Sequence, residues 1–248
     1  MFEFLKKIFS REGGVDPARV RPREKARPAP GAAMGDDEDR DPIVATPMLP
    51  ASIRAEGPLS RQDRDFVQKT LRLMVWAGFD TRKDILAAAL GGLTEGEDAP
   101  YESKLWITAQ LDQMIAEKKS AESSWPALVE YDRLEAAFEA LGDQGVVAAA
   151  AAGYSREEAR AEAWADYGEA KGAARGKPGV AFYALADVES AIDGGPFRVS
   201  TESTTRGDEG DLAARAARAL MAAGFSVVTE SGGRLRLRDF AWRKRSPF

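Results

Sequence analysis

From Arg11 to Pro58 the chain carries eight prolines and no aromatic residue, and this gap limits how much of the sequence is able to build a core. Within it a basic stretch, Arg19 to Arg27, gives way to an acidic one, Asp36 to Asp41. So little apolar surface does not offset the entropy lost on ordering, and the segment, residues 11–58, is expected to be a disordered tether. Its r.m.s. span would be on the order of 35–40 Å. The core must therefore be built from Leu59 onward.

Ahead of the tether stands MFEFLKKIFS, residues 1–10. Phe2, Leu5 and Phe9 share one helical face with Phe4 and Ile8 beside them, while Glu3, Lys6 and Lys7 fall mostly opposite. A helix this short is unstable alone in water, so it is expected to form on docking. Phe2, Phe4, Leu5, Lys6, Lys7, Ile8 and Phe9 are the candidate docking residues, for a protein partner or, weakly, a membrane surface. The plainer alternative is that the segment packs on its own domain or frays. Lys6 and Lys7 interrupt the uncharged core a signal peptide needs. No apolar run reaches the roughly 20 residues that span a bilayer. A cytoplasmic protein is expected, with peripheral contact at the inner membrane if the docking surface is lipid.

The chain has neither cysteine nor histidine. This removes thiolate nucleophiles, disulfides, the usual zinc ligands and any Ser-His or Cys-His pair. No cofactor and no metal site is expected. With 35 basic and 40 acidic residues the net charge is −5, which argues against bulk attraction to nucleic acid.

Beyond Leu59 the periodicity predicts a helical subdomain over 59–122 and a mixed α/β domain over 125–245. Ser60-Arg-Gln-Asp63 is a capping box opening a helix to Ala77, which Gly78 closes. A second helix, from Thr81 to Leu90, is expected to end at Gly91-Gly92, and a third runs from Tyr101 to Ser120. Trp125-Pro126 breaks the pattern. Asp132-Arg-Leu-Glu135 and Ser155-Arg-Glu-Glu158 read as capping boxes of two further helices, the first ending near Gly142 and the second near Lys171. Val146–Ala152, Val180–Leu185 and Phe197–Ser203 read as strands, with short helices from Asp187 to Ile192 and from Asp211 to Ala223. A hairpin turning at Ser231-Gly-Gly233 joins Ser226–Glu230 to Arg234–Phe240. The expected fold is α/β: a mixed sheet of about five strands with flanking helices, an N-terminal helical part and a disordered arm.

Several of these segments, taken in order, carry a resemblance. Leu71 to Asp84 comes first, then Trp125-Pro126 and Asp132 to Phe138. Gly145-Val-Val147, Ala152-Gly-Tyr-Ser155 and Gly179-Val-Ala-Phe-Tyr183 follow, with Asp187 and Ala191 behind them. Ala222-Ala-Gly-Phe225 and Phe240-Ala-Trp-Arg243 complete the set. The chain resembles a bacterial family known as a domain of unknown function, number 6891, over roughly residues 66–245. The resemblance implies a domain boundary and no activity. It also implies a polar cluster after the Gly-Tyr segment and a histidine and glutamine after the Phe-Tyr pair. Here those places hold Arg156-Glu-Glu-Ala159 and Ala184-Leu-Ala186. Only Asp187 remains of that set, and it is more simply an N-cap.

Other features bear on chemistry. Arg234, Arg236 and Arg238 alternate with leucines, so they share one sheet face. With Arg243, Lys244 and Arg245 they form a candidate anion contact, against the alternative of arginines guarding an edge strand. Tyr154, Tyr183 and Asp187, with Trp164 nearby, are candidates to line a pocket at strand ends. Glu158, Glu162, Asp166 and Glu169 fall on one helical stripe, but Arg156 and Arg160 among them favour a solvated face over a metal site. Gly172–Lys177 departs from a phosphate-binding loop in spacing and order, and Gln110–Met114 sits inside a helical pattern whose apolar face needs it. The expected function is a non-enzymatic binding or regulatory protein, tethered by its N-terminal segment to a protein partner not identified by sequence or to a membrane surface. The alternative is a small-molecule-binding or hydrolytic domain working with Asp, Glu, Tyr or Lys alone.

Overall fold

The computed structural model describes residues 59–94, 99–171, 176, 178–205 and 207–248. The expected N-terminal docking segment and tether, residues 1–58, lie outside the described residues, as does most of Gly172–Lys177.

Helix α1 spans Arg61–Ala77, and Ser60 caps it: its hydroxyl accepts from the Asp63 N–H at 3.2 Å and donates to the Asp63 carboxylate at 2.6 Å. Gly78 ends the helix with φ 74°. A side chain there would be strained in conformation and would also meet the Lys118 ammonium at 2.7 Å. Helix α2, Arg82–Thr94, runs straight through Gly91 and Gly92 rather than stopping there. Glycine ends a helix by turning left-handed, and neither of these does so. Helix α3 is Tyr101–Glu122. Val67, Leu71, Met74 and Val75 of α1 pack with Ile85 of α2 and Ile107, Leu111 and Ile115 of α3.

The helical layer is not a separate body. Leu73 and Ala77, on another side of α1, belong to the core of the α/β part, so one helix serves both. Helix α4, Glu130–Asp143, starts earlier than expected, because Asp132 is its third residue and reaches back to accept from the Val129 N–H at 2.9 Å. Then come β1 (Val147–Ala149), α5 (Arg156–Lys171), β2 (Gly179–Phe182) and α6 (Leu185–Ile192). Next are β3 (Phe197–Ser203), α7 (Glu209–Ala222), β4 (Ser226–Thr229) and β5 (Arg234–Arg238). β1 is shorter than the Val146–Ala152 run, since Ala151 has φ 49° and turns the chain away from the sheet.

The five strands lie in the order β1-β2-β3-β5-β4. β1 and β2 are parallel, and every other pair is antiparallel. One face carries Ala181, Phe197, Val199, Leu235 and Leu237 against α4 and α7, through Leu134, Phe138, Leu212, Ala216 and Leu220. Among the described residues the helix cover of the opposite face lies over β1 and β2, where Ala159, Ala163 and Tyr167 of α5 seat on Val147, Ala149, Val180 and Phe182. All four residues of β2 are therefore buried, while β5 alternates buried leucine with partly exposed arginine. Among the described residues no helix is long and apolar enough to cross a membrane.

The C-terminal tail ties the two cores together. Phe240 stacks on Phe197 at 4.5 Å between ring centroids. The Trp242 indole N–H donates to the Ala77 carbonyl at 3.3 Å. Ser246 donates to Glu122 from both its N–H and its hydroxyl, and Phe248 packs on the helical layer. Beneath this tail Lys118 is fully buried, donating to the Val75 carbonyl at 2.8 Å with Glu122 at 3.7 Å. It thereby satisfies an end carbonyl of α1.

Two outcomes follow from this tie. Trp242→Ala is expected to lower unfolding stability by about 3–5 kcal/mol, read by urea denaturation, as for a large aromatic removed from a core. Burial, opposed by Glu122, pushes the Lys118 ammonium down from 10.5 to about 8. Between those two values the unfolded chain holds a proton that the folded chain has lost, so this residue's contribution to stability grows as pH rises through that window. Relative to Lys118→Met, the native protein should gain on the order of 2–3 kcal/mol between pH 7 and pH 10. Paired urea titrations that differ by a constant amount across that range contradict the assignment.

Candidate functional site

The carboxyl ends of the parallel strands β1 and β2 open toward the uncovered half of the sheet, where α/β folds commonly take ligands. The loops leaving the two strands are laced together. The Ala152 N–H donates to the Tyr183 carbonyl, the Leu185 N–H to Gly153 and the Ala186 N–H to Tyr154, at 3.0–3.2 Å. The turn passes through Gly153 at φ 57°, where a side chain would meet Glu158 at 2.6 Å. This lacing sets the first turns of α5 and α6 beside each other.

Each first turn is capped by a carboxylate. Glu158 accepts from the Tyr154 and Ser155 N–H groups at 3.0 and 2.9 Å, while its own N–H donates to the Ser155 hydroxyl at 3.2 Å. Glu158 is thus engaged in a capping box rather than offered along an acidic stripe. Asp187 is the third residue of α6 and not its N-cap. The N-cap is Ala184, whose N–H donates to Asp187 Oδ2 at 3.1 Å.

Around these turns four guanidinium groups gather from three elements. Arg156 is the first residue of α5, and its Nε donates to the Ser200 hydroxyl at 3.3 Å. Ser200 is opposite Arg234 in the β3–β5 register, and Arg198 is opposite Arg236. Arg198 Nε donates to Glu230 at 3.1 Å. Arg236 Nε lies 3.1 Å from the other Glu230 oxygen as an ion pair without an aligned hydrogen bond. Arg234 is half-buried, its Nε is sealed from solvent, and its side chain makes no hydrogen bond or ion pair among the described residues.

Asp187 feels this cluster directly. Burial raises its carboxyl above the ordinary range, opposed by the Ala184 N–H and by the charges of Arg234, Arg198 and Arg156. Four arginines thus face two carboxylates, Asp187 and Glu230, and the crevice is net positive. On its flank Glu202 is already held by Arg160 Nε at 2.7 Å and the Trp164 indole at 2.9 Å.

The structure divides the sequence candidates. The charge of Arg234 bears on Asp187 in the crevice, with Arg236 on the same strand face; Arg238 is exposed at the far end of β5, opposite Ser226. The three C-terminal cations lie elsewhere. Arg243 approaches Glu130 at 3.7 Å, Lys244 sits 3.6 Å over the Tyr131 ring, and Arg245 donates to the Pro126 carbonyl. Tyr183 lends its backbone to the crevice floor, but its ring is buried against Phe138 and Phe197, and burial drives its phenol well above the ordinary value. The Tyr154 hydroxyl donates to Glu189, which also pairs with Lys69 at 2.9 Å. Arg156, Arg198 and Ser200 were not among the sequence candidates. The alternation of FRVSTES places Arg198 and Ser200 on one face, which was the available signal, but only pairing shows them opposite Arg236 and Arg234.

A concavity of about 540 Å³ lies between α1, α3, α6 and the C-terminal tail, lined by Trp76, Met114, Trp125 and Ile192. Its Arg72 is already paired with Asp193 at 2.7 Å. Gln110–Met114 lies within α3, with Leu111 in the core of the helical layer and Met114 packed against it.

No curated protein and no solved structure matches the chain. A family model described as Domain of unknown function (DUF6891) matches residues 60–246, the helical layer as well as the sheet. By that match the chain belongs to the DUF6891 family.

Proposed function

We propose that this protein is a non-enzymatic binding protein that receives an anionic group in the arginine crevice, and that residues 1–10 dock it to a protein partner or a membrane surface. Arg234, without a partner among the described residues, carries the reading. A half-buried guanidinium with its Nε shut off from water is costly unless something accepts from it. An oxyanion seated among Arg156, Arg198 and Arg234 supplies that acceptor with charge-assisted hydrogen bonds. The groups that converge suit holding an anion rather than moving a proton. Ser200 has a guanidinium beside it where a nucleophile would need a base, and Asp187 has one oxygen engaged in a helix cap. On this reading the protein is a bacterial, cytoplasmic one, and peripheral at the inner membrane if its N-terminal segment docks on lipid.

Arg234→Ala supplies the test, using inorganic phosphate as probe in calorimetry and thermal shift. The variant should bind phosphate about tenfold or more weakly, the loss of one charge-assisted contact. Unliganded, it should be as stable as the native protein or more so, because an unsatisfied group has been removed. A destabilised variant with unchanged phosphate binding assigns Arg234 to structure and defeats the reading. The docking part is tested separately by deleting residues 1–10. The deletion should abolish pelleting with vesicles of anionic and zwitterionic lipid, or the capture of a partner protein that the full chain retains. If both persist, the docking role fails.

A further inference from the structure

Within the arginine crevice, and resting on the reading of it as an anion site, one feature selects among anions. Arginine offers donors only, so a cluster of Arg156, Arg198 and Arg234 would accept any small oxyanion of fitting size. Asp187 breaks that uniformity. Its Oδ2 accepts the Ala184 N–H, and Oδ1 has no hydrogen bond among the described residues. The charges of Arg234, Arg198 and Arg156 all bear on it. The crevice therefore presents several donors and, in Asp187 Oδ1, an acceptor with no hydrogen bond among the described residues.

We infer that the ligand is a phosphate carrying a proton, either inorganic phosphate or a phosphate monoester, and that Asp187 is the residue that selects it over sulfate. A monohydrogen phosphate accepts from the guanidinium groups through its ionised oxygens and donates its P–OH proton to Asp187 Oδ1. A phosphate monoester keeps such a proton up to a second pKa of about 6. Sulfate has no proton to give, so binding it places an oxyanion against a carboxylate with nothing between them. A site built to accept a ligand hydroxyl rejects an analogue lacking it far more strongly than apolar packing can. When Asp187 is itself protonated, as its burial favours, the carboxyl becomes a donor and the selection relaxes.

Calorimetric titration at about pH 6 of the full chain and of Asp187→Asn and Arg234→Ala, each with inorganic phosphate and with sulfate, tests this. Asparagine keeps an oxygen for the Ala184 N–H and offers an amide donor to the ligand, so the fold and cap are retained. The native chain should prefer phosphate to sulfate by about tenfold or more, and Asp187→Asn should bring the two within about threefold, chiefly by tightening sulfate. Equal native affinities, or a preference that survives Asp187→Asn, overturn the selection by Asp187 while leaving the anion site standing. If neither anion binds the native chain, or Arg234→Ala binds both as the native chain does, the anion site itself fails. Phenyl phosphate, titrated alongside, separates the two sources: tighter binding than inorganic phosphate assigns the site to a monoester, and exclusion assigns it to the free ion.

Discussion

Trp242 joins two cores that also meet along α1. Its indole N–H closes an open carbonyl of that helix, at Ala77, and its rings lie against Tyr183 and Phe197 of the sheet core and against Phe79 and Tyr131 beside it. A helix end buried under a tail is stable only if its last carbonyls find donors. Lys118 supplies another donor, at Val75. The helical layer, the sheet and the tail are therefore held by one set of contacts at the end of α1. The family match, which takes in all three, is consistent with a unit that does not divide at residue 122.

The crevice is a consequence of how unevenly the sheet is covered. α5 seats closely on β1 and β2 because Ala159 and Ala163 put almost nothing between helix and strand. A single helix spans about 10 Å with its side chains, roughly two strands' width, so among the described residues no helix lies over the other three strands on that face. The residues facing outward there are Arg198, Ser200 and Glu202 on β3 and three arginines on β5. Arg156 and Arg160, at the edge of α5, reach across to Ser200 and Glu202 and stitch the covered half to the open half. The functional candidate thus sits where burial stops, at the ends of the two parallel strands.

Much of the fold was legible because local signals agreed with each other. Ser60, Gly78, Ser155 and the Ser231-Gly-Gly233 turn mark boundaries through chemistry that acts within four residues. Asp132 and Asp187 misled by the same logic. An acid just ahead of an apolar run reads as an N-cap, but both are third residues reaching back to Val129 and Ala184, whose own side chains hold nothing. Gly91 and Gly92 misled because glycine weakens a helix without ending it unless it turns left-handed. The site was half legible. Alternation put Arg234 and Arg236 on one face, while Asp187 was read as part of another pocket. That the two belong together depends on β3 lying between β2 and β5, a long-range pairing with no local trace. Arg243, Lys244 and Arg245 follow β5 closely in sequence, yet the tail bends away through Asp239, at φ 54°, and spends them on the start of α4 and the loop before it.

The missing histidine and cysteine give the crevice a simple electrostatic character. Arginine remains protonated at any pH at which the fold exists, so its positive charge is fixed. Only carboxylates can alter the balance, and Glu230 is already shared between Arg198 and Arg236. That leaves Asp187, whose second oxygen has no hydrogen bond among the described residues and whose ionisation is opposed by burial. A site with constant donors and one adjustable acceptor has its selectivity concentrated in a single side chain. The same residue, through its other oxygen, fixes the first turn of α6. Selection and local structure are thereby carried by the two oxygens of one carboxyl group.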